Sequence, residues 1–213
     1  MLTRRELLGA AAIALLAGAS RLVRAAPQAG RDYRLLSRPL ESDAAGKIDV
    51  TEFFWYGCPH CFDLEPILDR WLKKAPADVE FRRVPAIFQE RWAPGAKLYY
   101  ALESLGQLQR LHNEAFDAIH VQRLPLQDEK VLFDWVEKKG LDRKKFQETY
   151  ASFAVQTKTG RAQQLTRASG IEGVPAVIVD GRYQATGGKN YDEMMVIVDQ
   201  LVQKARSERS AKK

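Results

Sequence analysis

Ile48-Asp49-Val50-Thr51-Glu52-Phe53-Phe54-Trp55-Tyr56-Gly57-Cys58-Pro59-His60-Cys61 is the stretch on which the fold turns. Ile48 to Tyr56 reads as a strand, because Val50, Phe53, Phe54, Trp55 and Tyr56 are β-formers in a nearly continuous apolar run. Such a run suits a central strand covered on both faces. Glu52 interrupts it and needs a reason to be there. Pro59 suits the first turn of a helix. That helix is expected to run to Lys74 on an apolar stripe of Phe62, Ile67, Leu68, Trp71 and Leu72. Pro66 falls inside it and predicts a kink.

Two cysteines therefore stand where a strand turns into a helix. A helix N-terminus offers unpaired backbone N–H groups and the positive end of a dipole. A thiolate there is stabilised and its pKa depressed. Cys58 sits at the exposed end and is the attacking thiol, or the sulfur attacked when the pair is oxidised. Cys61, one turn inside the helix, is the resolving thiol. His60 can place an N–H or a positive charge near Cys58 and so favour the reduced form. A stabilised reduced form makes the disulfide a strong oxidant. Glu52, an acid in an apolar strand, is expected to have its pKa raised by desolvation. It can then accept or relay the Cys61 proton; the alternative is that it turns to solvent at a strand edge. A C-x-x-C pair also occurs in zinc sites, but a structural zinc needs four ligands. Only His60, His112 and His120 remain as soft partners, so no metal is expected. His112 and His120 lie on an amphipathic helix and read as ordinary surface or core-edge residues. An inert buried cysteine pair is the remaining alternative.

Outward from the motif, Arg31 to Arg38 predicts a short first strand, and Ser42 to Gly46 a polar loop. Val79 to Val84 reads as a second central strand. Residues 90 to 169 show helical spacing and end signals only. Asp128, Asp142 and Ser152 are candidate caps, and Gly106, Gly140 and Gly170 candidate stops. Strands return with Ala176 to Val179, the turn Asp180-Gly181 of type I′, and Arg182 to Thr186. Asn190 opens the last helix with Glu193 at the capping-box position. Its buried face is Tyr191, Met194, Met195, Val198, Leu201 and Val202, and the chain is expected to fray from Ser207. The order calls for an α/β fold with a mixed central sheet, helices on both faces and a helical block inserted between its two halves. The segments are then 26–89 and 170–206 for the sheet domain, 90–169 for the insertion and 207–213 for a basic tail.

Composition narrows the function classes. The chain has 213 residues, 46% of them hydrophobic and 28% charged, which suits one domain with a sizeable insertion. The net charge of +6 resides at the ends: residues 1–25 carry +3 and residues 203–213 carry +4, leaving −1 for the remainder. Nothing in that balance demands a nucleic-acid partner. Arg4 and Arg5, the uncharged stretch Leu7 to Ala19, and small residues before a cut after Ala25 form an export signal over residues 1–25. An uncleaved anchor is the alternative. Export would put the protein in a compartment that permits disulfides. Cys58 and Cys61 are its only cysteines, so the fold stands on its core alone.

The run Glu52 to Cys61, together with Gly173-Val174-Pro175-Ala176, closely resembles the DsbA family of periplasmic disulfide oxidases, and the likeness extends over the whole mature chain. The resemblance implies a thioredoxin-like fold. It implies that Cys58 is the nucleophile, Cys61 the resolving thiol, His60 the tuning residue and Glu52 a buried acid. Pro59 lies within the motif. Val174-Pro175 would form a cis bond facing the active cysteine, where freed backbone groups receive an extended substrate. Substrates would be reduced exported proteins in the periplasm, and the reoxidant a membrane quinone-linked partner of the DsbB type. No cofactor is implied. Isomerases of this kind bring a separate dimerisation domain. Only about 20 residues separate the cut site from the Ile48 strand, too few for a domain of usual size, so a monomeric oxidase is expected. A reductase on the same fold and a chaperone with an apolar groove are the other readings.

Overall fold

Strand β2 (Ile48–Phe54) is buried at every one of its seven residues. A strand with no exposed face must have neighbours on both edges and layers on both sides. The computed structural model, which describes residues 26–42, 44 and 46–211, supplies them. β2 pairs in parallel with β3 (Val79–Pro85) and antiparallel with β4 (Ala176–Val179). β5 (Tyr183–Ala185) and β1 (Tyr33–Leu35) complete a mixed five-stranded sheet of order β1-β5-β4-β2-β3. The expected export signal lies outside the described residues.

β3 is an edge strand, not the second central strand that its apolar residues suggest. Its residues Glu80 to Arg83 are half-buried or exposed, and it ends in Pro85, both fitting for an edge. On one face of the sheet, Val50, Val177 and Val179 pack against helix α1 (Pro59–Leu72) and the last helix, α7 (Tyr191–Ser210). On the other, Phe53 and Ile178 pack with Leu40, Ile171 and Ala162.

α1 continues through Pro66, so the proline does not end the helix. Proline removes one backbone donor and crowds the preceding turn. Leu64 and Leu68, fully buried on either side of it, hold the helix on the sheet. The buried face is Cys61, Leu64, Glu65 and Leu68, one step round from the expected stripe, whose members Phe62, Ile67, Trp71 and Leu72 are only partly buried.

Between β3 and β4 the described chain is helical: a short 3-10 turn (Glu90–Trp92), then α2 (Ala93–Ser104), α3 (Leu108–His120), α4 (Glu129–Lys138), α5 (Arg143–Tyr150) and α6 (Phe153–Ser169). Asp128, Asp142 and Ser152 cap α4, α5 and α6 through their side chains, as their positions require. Asp180 and Gly181 have φ of 55° and 62°, the paired positive values of a type I′ turn. Asn190 caps α7 by accepting the Glu193 N–H at 2.9 Å. The Glu193 carboxylate takes the Lys189 N–H, one residue earlier than in a capping box.

The chain does not fray at Ser207. α7 runs to Ser210 because its last turns are tied to the start of β5, the β4–β5 turn and the residue before β3. Glu208 accepts the Tyr183 hydroxyl at 2.5 Å, Arg209 pairs with Asp180, and Arg206 pairs with Asp78.

Candidate active site

The two cysteines lie where the sheet meets the helical block. Both belong to the apolar cluster of Phe54, Tyr56, Leu98, Phe116 and Trp135. Cys58 is the N-cap of α1, and its backbone is extended at φ −92° and ψ 115°. Its sulfur accepts the Cys61 backbone N–H at 3.3 Å. That N–H is one of the donors a helix start leaves unpaired. Cys58 keeps 7% of its surface exposed and Cys61 none, and both are free thiols.

The two sulfurs are driven apart in acidity. The Cys58 thiol falls from 9.0 to about 6, chiefly through the hydrogen bond from Cys61, aided by the backbone N–H groups of Cys61 and His60. Burial pushes the Cys61 thiol far above its ordinary value. The His60 charge contributes least to the Cys58 shift. Its side chain is 73% exposed and faces Asp63 at 3.9 Å, so the helix start outweighs the imidazole that the sequence brought forward.

The Val174–Pro175 bond is cis, and the Val174 carbonyl lies 3.5 Å from the Cys58 sulfur. These two residues begin the approach to β4, the antiparallel neighbour of β2. The expected juxtaposition of Pro59, Val174, Pro175 and the cysteines is therefore present. Trp55 covers Gly57, where a Cβ would run into the indole, and stacks on Trp92 with ring centroids 4.2 Å apart. A cavity of about 310 Å³ opens beside Gly57, lined by Trp55, Tyr56, Leu98, Ile119 and Leu126, with Arg91 at its polar side.

Glu52 does not turn to solvent; it is fully buried. Alternation along β2 puts it on the face of Val50 and Phe54. Burial, reinforced by the charge of Glu65, raises its pKa from 4.5 to about 8 despite Arg83 beside it. Arg83 stands opposite Glu52 in the parallel register and donates to its Oε2 at 3.1 Å. The other oxygen, Oε1, has no hydrogen-bond partner among the described residues. When ionised, Glu52 pushes the Cys61 thiol further up.

Sequence reasoning missed what surrounds Glu52. Arg83 also donates to Glu65 Oε2 at 2.7 Å. Glu65 Oε1 lies 3.2 Å from His112 Nε2, and His112 Nδ1 lies 2.9 Å from the Tyr56 hydroxyl. His112 is thus no core-edge histidine but a buried member of a polar chain, 5% exposed. A signal was available: position 112 falls within the apolar stripe of Leu108, Leu111, Ala115 and Phe116. His120 is half-buried, and its Nε2 donates to the Tyr56 carbonyl at 2.8 Å. Among the described residues no group of three or more His, Cys, Asp and Glu is arranged to hold a metal ion.

The sheet and its flanking helices are those of the thioredoxin-like class, and a dithiol at the strand-to-helix junction gives that class its thiol–disulfide oxidoreductases. Residues 83–197 match the model of the DSBA-like thioredoxin domain. The chain is 41% identical to the thiol:disulfide interchange protein DsbA of Bordetella parapertussis over 209 residues, 96% of this chain and 98% of that protein. It is 39% identical to the DsbA of Pseudomonas aeruginosa over 183 residues, 84% and 86% of the two chains. A crystal structure of Pseudomonas aeruginosa DsbA superposes with a TM-score of 0.81 at 39% identity, over 87% of this chain and 97% of that one. Reduced DsbA1 of Neisseria meningitidis superposes at 0.79 with 32% identity, over 88% and 100%. The chain belongs to the DsbA family and is a thiol:disulfide oxidoreductase acting on protein substrates.

Proposed function

We propose that this protein donates its Cys58–Cys61 disulfide to reduced, newly exported proteins in the periplasm. One observation carries the reading: the Cys58 thiol is lowered to about 6 while burial raises Cys61. A low-pKa thiol is a good leaving group and a stable thiolate. The reduced enzyme is therefore favoured, and the disulfide is passed on readily.

A client thiolate attacks the Cys58 sulfur and forms a mixed disulfide there. The client's second thiolate then attacks its own sulfur, and Cys58 leaves as thiolate. Cys61 is the resolving thiol: its attack on the Cys58 sulfur releases a stalled client as thiolate, and it closes the pair again when the enzyme is reoxidised. Pro59 starts the helix whose N–H groups face Cys58, and His60 adds a smaller electrostatic share. Glu52 is the proton partner of Cys61. The Val174 carbonyl and Pro175 form a backbone platform for an extended client segment, and the cavity beside Gly57 extends an apolar surface on the motif's other side. The reoxidant is a membrane quinone-linked partner of the DsbB type, and the enzyme acts as a monomer. Residues 1–25 direct export, and no cofactor or metal takes part.

Equilibration with glutathione tests the direction of electron flow. The dithiol should oxidise in mildly oxidising glutathione mixtures far less readily than a thioredoxin dithiol. A dithiol as reducing as thioredoxin's would reject the donor role. Cys61→Ala should accumulate mixed disulfides with client proteins, and Cys58→Ser should trap none.

A further inference from the structure

Opening the Cys58–Cys61 disulfide leaves an electron pair on the Cys61 sulfur, and closing it takes a proton from the Cys61 thiol. A bare thiolate is costly in so buried a place. A proton must be at hand on one stroke and be carried off on the other.

Glu52 has one oxygen bound by Arg83 and one buried oxygen without a partner among the described residues. Behind it the chain runs through Arg83 to Glu65, then His112, then Tyr56, drawing on β3, α1, α3 and the segment after β2. Arg83 and Glu65 balance each other in charge. The set is then neutral in two forms. Glu52 is an acid beside a neutral His112, or a carboxylate beside an imidazolium. Both forms hold the same number of protons. Burial favours the first form, lifting Glu52 to about 8 and lowering His112 from 6.5. The other groups facing this chain are Asp69 on α1, 3.9 Å from Arg83, and Tyr99 on α2, whose ring lies 6.0 Å from that of His112.

We propose that His112 is a positioning residue for disulfide exchange: acting through Glu65 and Arg83, it sets whether Glu52 is acid or carboxylate and thereby holds available the proton that Cys61 gains and gives up. The proposal rests on the reading of Glu52 as the proton partner of Cys61. When a client thiolate attacks Cys58, the sulfur–sulfur bond breaks, its electron pair leaves on Cys61, and the Glu52 acid supplies the proton. On closure the Cys61 thiol returns that proton to the Glu52 carboxylate. Its sulfur attacks Cys58, and the partner's sulfur departs with the electron pair of the broken bond. His112 matters because its ring, held against Glu65, can take up a second proton and, as imidazolium, offset the charge of the Glu52 carboxylate. Without it Glu52 ionises less readily.

The test is the rate at which a preformed Cys58–glutathione mixed disulfide releases glutathione, followed from pH 5 to 9. The wild-type rate should rise with pH through an inflection set by Glu52. His112→Gln keeps a donor for Glu65 but carries no charge. It should move that inflection up by half a pH unit or more, slowing release at pH 7 about three-fold. His112→Asn serves if the longer amide does not fold. Glu52→Gln should abolish the inflection. If Glu52→Gln abolishes it and the His112 variants leave it in place, the role of His112 is rejected while that of Glu52 stands. If Glu52→Gln retains the inflection, Glu52 is not the proton partner, and the role of His112 falls with it.

Discussion

The Cys58 sulfur accepts the backbone N–H of Cys61 at 3.3 Å, so the outer thiol caps the very helix that buries the inner one. Acidity at the outer sulfur comes first from the Cys61 thiol and then from the backbone donors of this turn, while burial denies it to the inner one. The contribution of the Cys61 side chain to this arrangement is separable from that of the backbone.

Alkylation of the reduced protein against pH measures the separation. The rate should titrate with a midpoint near 6 for Cys58. Cys61→Ala removes the strongest of these influences, the Cys61 thiol, and should move the midpoint up while leaving the backbone donors in place. His60→Ala should move it up by less, since its charge is the smallest contributor. A larger displacement in His60→Ala than in Cys61→Ala would contradict the order of these causes.

Stability of the reduced form relative to the oxidised form should depend on pH with a definite sign. Between about 6 and the ordinary thiol value of 9.0 the unfolded chain holds a proton at Cys58 that the folded chain has lost. Stability of the reduced protein then rises with pH, and the gain vanishes as pH falls through 6. Above the ordinary thiol value the raised Cys61 reverses the slope, because the folded chain keeps a proton that the unfolded chain releases. Glu52 works the opposite way between 4.5 and about 8, where its raised pKa makes the fold lose stability as pH rises. Glu52 is present in both redox forms, so the difference between their denaturation midpoints carries the thiol contribution together with the part of the Glu52 shift that depends on Cys61. Each pH unit of separation between folded and unfolded values corresponds to about 1.4 kcal/mol.

Gly57→Ala should destabilise the protein by about 1–3 kcal/mol, the usual range for an overpacked site. The added Cβ would meet the Trp55 indole, which would have to leave its stack on Trp92. Denaturation and tryptophan fluorescence should report the two effects together. An unchanged emission spectrum with unchanged stability would show that the indole has other room to occupy.

Deleting residues 207–213 should cost about 1–2 kcal/mol through lost charged hydrogen bonds at partly buried positions. The deletion removes Glu208 from Tyr183 and Arg209 from Asp180 and from the Lys47 carbonyl. The Cys58 alkylation midpoint should not move, because none of these groups contributes to it. A truncated protein as stable as the full chain would restore the view of this segment as a solvated tail.

Most of the fold was legible because the signals were local. The β2 run, the capping acids Asp128 and Asp142, and the Asp180-Gly181 turn each announce themselves within a few residues. Strand order was less legible: the half-apolar pattern of β3 suits an edge or a centre, and only pairing decides. The end of α7 depends on Asp78, Asp180 and Tyr183, which lie far away in sequence. The same division holds at the site. Cys58, Cys61, Glu52 and Pro175 stand out by type and position. Arg83 and His112 do not, since their importance comes from what faces them across a strand pair and a helix packing.

The three buried clusters hold together without a covalent crosslink, since Cys58 and Cys61 are the only cysteines and are free in this state. A disulfide-exchange enzyme built in this way does not wait for another to crosslink it. Its first copies can mature in a compartment that still lacks any oxidant, and no spare thiol is present to be miscoupled while they turn over.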